Sequence, residues 1–381
     1  MAGLYVHVPF CRKKCSYCSF VSFSGRNALM KDYFQALRKE ISLWGESGRV
    51  QDLVFDSIYI GGGTPSLAPV EYICQLLEHA FKVLNFKAMP HLEVTMECNP
   101  DSVDGARLLE LRKSGLNRVS LGVQSMSERD LEFLGRIHGN SQVIDAVHAI
   151  REAGIENMSL DLIYSIPGQD EAALADCLAR VFDLDPEHLS CYELSVEEGT
   201  PLEQAARRGD FRMPSQETRL SLTLLVEKEL RAHGYKQYEI SNYSRPGFEC
   251  RHNIGYWTGR EYVGIGCSAC SFVAKRRIRN LEGLEAYMNA VMHGRLPCDK
   301  LEELDRESMF REAFVIFLRM NQGADLHELA ERFGIEPNAY YGSLLEQMVS
   351  NGLMYSFNRG RRIALTPRGR HIANYVLSHF V

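Results

Sequence analysis

The sequence predicts an α/β protein in which a partial (β/α)6 barrel precedes a C-terminal helical, winged-helix-like domain. Two observations lead to this prediction. Six short apolar runs alternate with segments of helical spacing, an order typical of parallel βαβ units. Beyond Pro297 this alternation ends, and a pattern of helix, turn, helix and β-wing follows. A doubly wound open sheet would show the same alternation, and in both architectures the chemistry gathers at the C-terminal ends of the strands.

The six predicted strands are rich in Ile, Val, Leu and Tyr, and they begin near Leu4, Ser57, Leu92, Arg118, Asn157 and Leu189. Apolar residues at helical spacing occupy the segments between them, at 28–44, 69–83, 104–114, 141–153 and 171–184, and a charged helix is predicted over 216–232. We expect three regions: a barrel over 1–205, an extension packed on it over 206–298, and the winged-helix-like domain over 299–381.

Winged-helix modules often bind DNA, but this one lacks the charge for that role. Its second helix, over 336–349, contains two Glu and no Lys or Arg, whereas helices that bind duplex DNA place cations there. The net charge of −6 also gives no global basic field. The sequence therefore favours a packing or lid module and predicts no nucleic-acid partner.

Composition excludes several further classes of protein. Of the 381 residues, 45% are apolar and 24% charged, which are ordinary globular values and exclude a mainly disordered chain. No apolar run approaches the about 20 residues that cross a bilayer, and the first residues lack the features of a signal peptide. We expect a soluble cytoplasmic protein without an integral membrane span. Its eleven cysteines, an odd number, then indicate reduced thiols or metal ligands rather than disulfides.

Three of these cysteines form the motif C-x3-C-x2-C directly after the first predicted strand: Cys11, Cys15 and Cys18. Three soft thiolates within eight residues can converge on one iron–sulfur cluster or one zinc ion from a single loop. No Cys or His follows as a fourth ligand, and an open position is a feature of catalytic metal sites. Zinc and coincidental core cysteines remain the alternatives to an iron–sulfur cluster.

This cysteine motif, with a Tyr before its last cysteine and Gly61, Gly62, Gly63, Thr64 and Pro65 after the second strand, resembles the radical S-adenosylmethionine (SAM) superfamily. The resemblance implies a partial TIM-like barrel and a [4Fe–4S] cluster held by the three cysteines. It further implies that the amino and carboxylate groups of SAM chelate the fourth iron. An electron donor of the flavodoxin or ferredoxin type would reduce the cluster, because cleavage of the SAM sulfonium requires a strong reductant.

The resemblance also implies roles for residues at the strand ends. Glycines let the backbone approach a ligand closely, so the 61–63 segment and Thr64 are expected at the methionyl end of SAM, although a tight turn would also explain them. Glu97 could accept from an amino or ribose group, Gln124 could pair with a hydroxyl, and Arg136 could grip a carboxylate bidentately. Asp161 is expected at the ribose, the alternative being a cap or a salt bridge. Tyr5 and His7 are expected near the cofactor or substrate, or simply on one inward-facing side of a strand, and Tyr17 could pack against the cluster or the adenine.

Seven motifs occur in the order found in one branch of this superfamily: YVHVPFC, GGGTPS, ECNP, RVSLGVQS, LGRIH, DLIYSIPGQ and EEGTP. That branch contains the oxygen-independent coproporphyrinogen III oxidases and the HemW-type haem chaperones. The oxidases carry a further cysteine where this chain has Phe20, and an extension before the first strand, whereas here the first cluster ligand is residue 11. The segment 252–257 matches the motif HNxxYW of the chaperones. The resemblance therefore implies a haem chaperone, with the oxidase, or another SAM-radical enzyme acting on a tetrapyrrole, as alternatives.

The chaperone family implies haem as a third cofactor, apo-haemoproteins as partners and a possible homodimer. His252 offers an imidazole to haem iron, and Tyr256 and Trp257 can stack on a porphyrin face. A buried histidine bonded to backbone is the alternative. Arg251 or Arg260 could pair with propionates. Three cysteines, Cys250, Cys267 and Cys270, fit no motif, and either a second metal site with His252 or buried thiols would explain them.

Overall fold

Six parallel strands form a partial barrel in the computed structural model, which describes residues 1–381. They are β1 Ala2–Val8, β2 Phe55–Gly62, β3 Glu93–Cys98, β4 Arg118–Gln124, β5 Asn157–Tyr164 and β6 His188–Glu193. Each strand pairs in parallel with the next one in the chain. A doubly wound sheet reverses its strand order at a switch point, so this unbroken order excludes that alternative and confirms the barrel type.

Helices connect the six strands, and apolar periodicity predicted all of them except the short helix at Glu128–Phe133. They are α1 Met30–Glu46, α2 Val70–Val83, α3 Gly105–Lys113, α4 Glu128–Phe133, α5 Asn140–Glu152 and α6 Glu171–Asp183, with single 3-10 turns at Asn27–Leu29, Pro65–Leu67 and Pro100–Ser102. Carboxylates begin two of them: Asp104 accepts from the N–H of Arg107, and Asp170 from that of Ala173. No helix of the protein has the length and apolar character needed to span a bilayer.

Alternating side chains give the barrel an apolar outer face and a polar interior. In β4, Val119, Leu121 and Val123 are buried in the main hydrophobic core, whereas Arg118 and Ser120 line a cavity inside the barrel. Successive side chains of a strand point to opposite faces, so the same period places polar groups inward on the neighbouring strands. Large aliphatic side chains fill the interior of an ordinary closed barrel, and their absence here leaves room for ligands.

Residues 201–303 extend the sheet at both edges. The elements are α7 Pro201–Arg208, α8 Gln216–Ala232, β7 Lys236–Gln237, β8 Asn242–Ser244, α9 Arg251–Trp257, β9 Tyr262–Ile265, β10 Cys270–Val273, β11 Arg276–Asn280, α10 Leu284–Met292 and β12 Cys298–Glu303. The strand order is β12-β11-β10-β9-β1-β2-β3-β4-β5-β6-β8-β7, so the sheet stays open. β9 pairs in parallel with β1 and is a seventh barrel strand that the sequence analysis did not predict.

The last part of the chain has a hydrophobic core of its own. It contains α11 Arg306–Phe317, β13 Ala324–Asp325, α12 Leu326–Phe333, α13 Pro337–Ser350, β14 Met354–Phe357, β15 Arg362–Leu365, α14 Pro367–His371, α15 Ala373–Leu377 and a 3-10 turn at Ser378–Phe380. Two helices followed by the hairpin β14–β15 have the predicted winged-helix order. Because β12 still pairs with the large sheet, we propose that this domain begins after Glu303 rather than at 299.

Candidate functional site

A loop after β1 carries the three motif cysteines over the C-terminal ends of the barrel strands. Its two ends are joined by a short parallel pairing of Phe10–Cys11 with Phe23–Ser24. His7 fastens the loop from below, because its Nε2 lies 2.8 Å from the carbonyl oxygen of Val21. Burial lowers the pKa of His7, so the imidazole is neutral and donates to that carbonyl.

Cys11, Cys15 and Cys18 line one cavity of about 430 Å³ and are partly exposed free thiols. The hydroxyl of Thr64 donates to the Cys11 sulfur (3.6 Å), and Nη1 of Arg136 donates to the Cys15 sulfur (3.4 Å). Burial raises the pKa of Cys11 and Cys18, and a bound metal would favour their thiolates.

The geometry of these thiols bears on which metal they fit. Nowhere in the chain do three His, Cys, Asp or Glu side chains converge closely enough to hold a single metal ion. A structural zinc site requires such convergence, whereas in a [4Fe–4S] cluster each thiolate binds a different iron. The three thiols of one loop, facing one cavity, therefore fit an iron–sulfur cluster better than zinc.

The glycine segment after β2 forms the wall next to this loop. Gly62 has a φ of 115°, and a Cβ there would lie 2.4 Å from Nδ1 of His7. A Cβ on Gly63 would lie 2.8 Å from the Phe10 carbonyl oxygen and 3.0 Å from the Cys11 sulfur. Gly62 therefore requires glycine because of its φ and the adjacent His7 ring, and Gly63 because its backbone is in close contact with the start of the cluster loop. Gly62, Gly63 and Thr64 line the cavity, and Gly61 lies just behind it.

Glu97, at the end of β3, presents a carboxyl group to the cavity. It accepts from the hydroxyl of Tyr59 and from the N–H of Gly62, both at 2.9 Å. Burial raises the pKa of Glu97 to about 7, and the nearby charge of Asp161 raises it further. The group can therefore change its charge near neutral pH.

Two other predicted SAM contacts also lie on the cavity wall. Asp161 accepts from the hydroxyls of Ser120 (2.9 Å) and Ser159 (3.1 Å), while burial raises its pKa. Gln124 follows a bulge in β4 and has a φ of 66°, a left-handed conformation that is uncommon for a non-glycine residue. Such strained residues are concentrated at ligand sites.

Arg136 lines the cavity, but its guanidinium is already engaged by the protein. Besides the contact to Cys15, Nη2 donates to Oδ1 of Asn99 (2.6 Å) and to the carbonyl of Gly122 (3.0 Å). The free bidentate fork expected from the sequence is thus not available in this arrangement. Arg136 instead holds the cluster loop against the strand ends.

The two tyrosines expected near the cofactor differ in position. Tyr17 lines the cavity beside the cluster loop. Tyr5 lies behind Tyr59, with ring centroids 6.4 Å apart, and its hydroxyl is bonded to Nδ1 of His7 at 3.0 Å. The structure therefore brings Tyr17 into the cavity and gives Tyr5 a supporting position.

His252 is placed differently from the sequence expectation. It is 2% exposed, its Nδ1 lies 2.9 Å from the Ser57 hydroxyl, and its Nε2 lies 3.0 Å from the Tyr256 hydroxyl. Its ring stacks on Tyr59 at 5.2 Å. Burial lowers the pKa of His252 to about 3. Both ring nitrogens are occupied, so the expectation of an imidazole free to bind haem iron is corrected to that of a buried structural histidine.

The other two aromatic residues of the HNxxYW motif line a second cavity of about 340 Å³. Tyr256 and Trp257 form one wall, Tyr262 and Phe272 extend it, and the C-terminal domain supplies Met309, Ile316 and Phe333. Three cations also line it: Arg260, Arg277 and Arg332. This apolar cavity, with three arginines in its wall, lies between the sheet and the C-terminal domain.

The cysteines outside the motif do not form a second metal site. The Cys250 thiol lies 3.6 Å from Glu93, whereas the Cys267 sulfur accepts from the Tyr33 hydroxyl at 3.7 Å. Cys270 is on β10. Cys250 and Cys267 thus contact different side chains, and both ring nitrogens of His252 are occupied, so the interpretation as thiols packed in the fold replaces that hypothesis.

Several cavity residues were missed by the sequence analysis. Arg118, Ser120, Tyr59, Ser190 and Tyr192 alternate with apolar residues in predicted strands, and that alternation could have identified the inward side. Asn253 also lines this cavity, although it belongs to the HNxxYW motif. No pattern in the sequence places that helix beneath the barrel.

Comparison with known proteins agrees with this geometry. A model of the radical SAM superfamily matches residues 5–181, and a model of the HemN C-terminal domain matches residues 304–372. Relatives named heme chaperone HemW are similar along the chain. The Bacillus subtilis protein is 31% identical, covering 100% of this chain and 99% of its own. The Lactococcus lactis protein is 32% identical, covering 99% and 96%, and the Escherichia coli protein is 37% identical, covering 70% and 69%.

Among solved structures, coproporphyrinogen III oxidase (HemN) from Escherichia coli, described as a radical SAM enzyme, has a similar fold. The TM-score is 0.85 at 24% sequence identity, covering 100% of this chain and 89% of that one. This likeness concerns the fold, and it supports the partial barrel and the C-terminal domain together.

Proposed function

Because the chain belongs to the HemW family of the radical SAM superfamily, we propose that it binds a [4Fe–4S] cluster, SAM and haem and delivers haem to apo-haemoproteins. Similarity to the HemW proteins over nearly the whole chain is the observation that carries this proposal. A cytoplasmic location, an electron donor of the flavodoxin or ferredoxin type and a homodimer are parts of the same proposal.

The residues of the first cavity suit the first two cofactors. Cys11, Cys15 and Cys18 would hold the cluster, with Thr64 and Arg136 donating to the sulfurs. The wall formed by the 61–64 segment, Glu97, Gln124 and Asp161 would contact SAM, with Tyr17 beside the loop. When bound, the reduced cluster supplies an electron to the SAM sulfonium. The chain contributes binding, orientation and shelter from water.

Haem fits the second cavity better than a site at His252. Tyr256 and Trp257 offer aromatic faces to a macrocycle, and the C-terminal domain adds apolar side chains. Arg332 lines the same cavity with its terminal nitrogens donating to the carbonyls of Thr258 (3.3 Å) and Gly259 (2.6 Å), so it would attract a propionate through its charge rather than through a free fork. A volume of about 340 Å³ is within the range for small-molecule sites, and it would take the apolar part of the ring while the propionates face solvent.

A haem titration tests this location. Trp257→Ala should weaken haem binding by roughly 10- to 100-fold, since removing one well-packed aromatic contact typically costs 2 kcal/mol or more. Tyr355→Ala is the matched control, because Tyr355 is an exposed aromatic residue of the wing, outside the cavity. Unchanged haem affinity in Trp257→Ala, with a folded protein, would contradict the location.

Delivery is tested by mixing the haem-loaded protein with an apo-form of a b-type haemoprotein and recording the Soret band of the acceptor. We expect transfer that depends on reductant and SAM. Turnover with coproporphyrinogen III under the same anaerobic conditions tests the alternative, an oxygen-independent coproporphyrinogen III oxidase. Formation of protoporphyrin would overturn the chaperone proposal, whereas no product from protein with a full iron content would remove the enzyme alternative.

A further inference from the structure

The cluster loop carries positive charge on its exposed side. Between the first two motif cysteines lie Arg12, Lys13 and Lys14, and all three are exposed. Arg12 is paired with Asp101 at 3.1 Å, whereas neither lysine forms an ion pair within the chain. The protein as a whole has a net charge of −6, so this loop reverses the sign of the charge locally. A cluster of one sign attracts a partner of the opposite sign and raises its rate of association.

Protein covers the other side of this loop. The N–H of Ser16 donates to the carbonyl of Leu134 at 3.3 Å, and the Ser16 carbonyl accepts from the N–H of Leu202 at 2.8 Å. These contacts place the end of α4 and the start of α7 against the middle of the loop. Residues 12–14 and 19–20 remain exposed, and four of them line the first cavity beside the thiols. This is therefore the side on which another protein can come close to the thiols.

Phe20 adds an apolar contact to this exposed side. It follows Cys18 by two residues and is 66% exposed, the largest fraction of any aromatic side chain in the protein. One exposed apolar side chain is ordinary on a protein surface, but a ring bordered by charged residues has the composition of a small interface, an aromatic centre with a polar rim. Burial raises the pKa of the Cys18 thiol and the charge of Lys14 opposes that rise, so this lysine lies near the sulfur.

The carboxylates at the cavity do not cancel the charge of the loop. Glu193 and Glu197 also line the first cavity, but they belong to β6 and to the segment after it. β6 is the last of the six barrel strands, whereas the cluster loop follows the first. Glu193 is already paired with Arg219, and Glu197 accepts from the hydroxyl of Ser195. The exposed side of the cluster loop thus keeps a net positive charge beside an aromatic ring.

We propose that Lys13, Lys14 and Phe20 form the docking surface for an acidic electron-carrier protein. The two lysines are exposed and free of partners, so they act as point charges that steer a partner rather than as a fixed grip on a small anion. Weak redox complexes use small interfaces of this kind. The carrier would pass one electron to the cluster, so the carrier is oxidised, the cluster is reduced, and no bond or proton is exchanged. This docking surface rests on the proposed function, which requires a carrier but does not say where it binds.

Anaerobic stopped-flow mixing tests the docking surface on the reconstituted full chain, because reduction bleaches the cluster absorbance at about 400 nm. Reduced flavodoxin serves as the acidic carrier, and photoreduced 5-deazariboflavin serves as a small uncharged donor. At low salt, the charge-reversed variant, Lys13→Glu with Lys14→Glu, should be reduced by flavodoxin roughly 10- to 100-fold more slowly than the wild type, and by 5-deazariboflavin at the same rate. Lys228→Glu with Arg231→Glu, at exposed positions of α8, makes the same change of net charge and should leave both rates near the wild-type values.

Two further measurements separate the charges from the apolar contact. Added salt should slow the reduction of the wild type by flavodoxin toward the rate of the charge-reversed variant, whose own rate should change far less. Phe20→Ser should raise the flavodoxin concentration that gives half of the maximal rate by roughly tenfold, as for the loss of one interface aromatic residue, and should keep the salt dependence.

Equal flavodoxin rates in the wild type and the charge-reversed variant would overturn the docking surface. So would a wild type that 5-deazariboflavin reduces and flavodoxin does not. A weaker haem affinity at an unchanged flavodoxin rate would assign the two lysines to haem instead. If the charge-reversed variant assembles no cluster, Lys14→Gln and the salt dependence of the wild type give the same test. A wild type that assembles no cluster at all would refute the proposed function and the docking surface with it.

Discussion

Glu97→Gln separates the electrostatic role of Glu97 from its position. In the wild type, the pKa of about 7 means that the carboxyl group is mostly neutral at pH 6 and mostly ionised at pH 8. An ionised acceptor strengthens a hydrogen bond to an amino or hydroxyl group of SAM, with a typical worth of about 1.5–3 kcal/mol for charged groups. We therefore expect wild-type SAM affinity above pH 8 to exceed that of the variant by roughly 10- to 100-fold.

The pH dependence gives the sharper test. The ratio of wild-type to variant affinity cancels any proton that SAM itself releases, so only Glu97 shapes it. Below pH 7 the ionised fraction of Glu97 falls about tenfold per pH unit. The affinity ratio should fall with it until most of the SAM binding is to protein with neutral Glu97. Equilibrium binding from pH 5.5 to 9 measures this. A ratio that is constant across that range would refute the assignment of Glu97 as a titrating SAM contact.

The free energy of unfolding of the wild type should change with pH in the direction opposite to its SAM affinity. The folded-state pKa of Glu97 is raised from 4.5 to about 7, so the unfolded chain loses its proton first as pH rises. Between these values the wild type loses stability, by up to about 3 kcal/mol, and above pH 7 the loss is complete. Glu97→Gln lacks this loss. Glu40→Gln is the control: burial also raises the pKa of Glu40 to about 7, but it lies outside the cavity and should leave the affinity ratio flat.

Three further changes test the cluster loop and the motif helix. Cys15→Ala should abolish cluster assembly, because two thiolates rarely hold four irons. Retained cluster absorbance at about 400 nm would contradict this prediction. Gly63→Ala should lower the iron content per chain, since its Cβ would lie 2.8 Å from the Phe10 carbonyl oxygen. Gly283→Ala is the control and should leave the iron content unchanged, because Gly283 has a φ of −74° and its Cβ would lie 3.8 Å from that of Ala286. His252→Ala should lower stability by about 2–4 kcal/mol, measured by denaturant unfolding, because it leaves buried hydroxyls unpaired. Its haem spectrum should be unaltered, and a changed spectrum at unchanged stability would restore His252 as the ligand.

The barrel strands and connecting helices were predictable because their signals are local. Turn residues and apolar periodicity define a segment such as Val70–Val83 from a short window of sequence. The choice between an open doubly wound sheet and a barrel was not local, since it depends on the order in which strands pair. β9 was not predicted for the same reason. Its four residues form a strand because they pair with the edge of β1, which is distant in the sequence.

Within the site, the sequence identified the polar side chains but not the hydrogen bonds that they form within the protein. Arg136 and Arg118 are the same residue type in the same cavity, yet one has its terminal nitrogens bonded to protein and the other does not. His252 matches a haem-family motif, but Ser57 and Tyr256, which occupy its nitrogens, come together only through folding. Hydrogen-bond partners distant in the chain decide which polar groups remain available to a ligand.

The polar interior connects these findings. The helices cover the outward apolar residues of the strands, and this burial supplies the stabilisation that permits Glu97, Asp161 and Arg118 to stand in a cavity. Each of these groups is costly to keep charged without a ligand, as the raised pKa values of the two acids show. A ligand that brings an amino group and hydroxyls would relieve the cost at the two acids. The same acids that weaken the empty barrel thus favour a ligand carrying both functions, which is the chemistry that SAM presents.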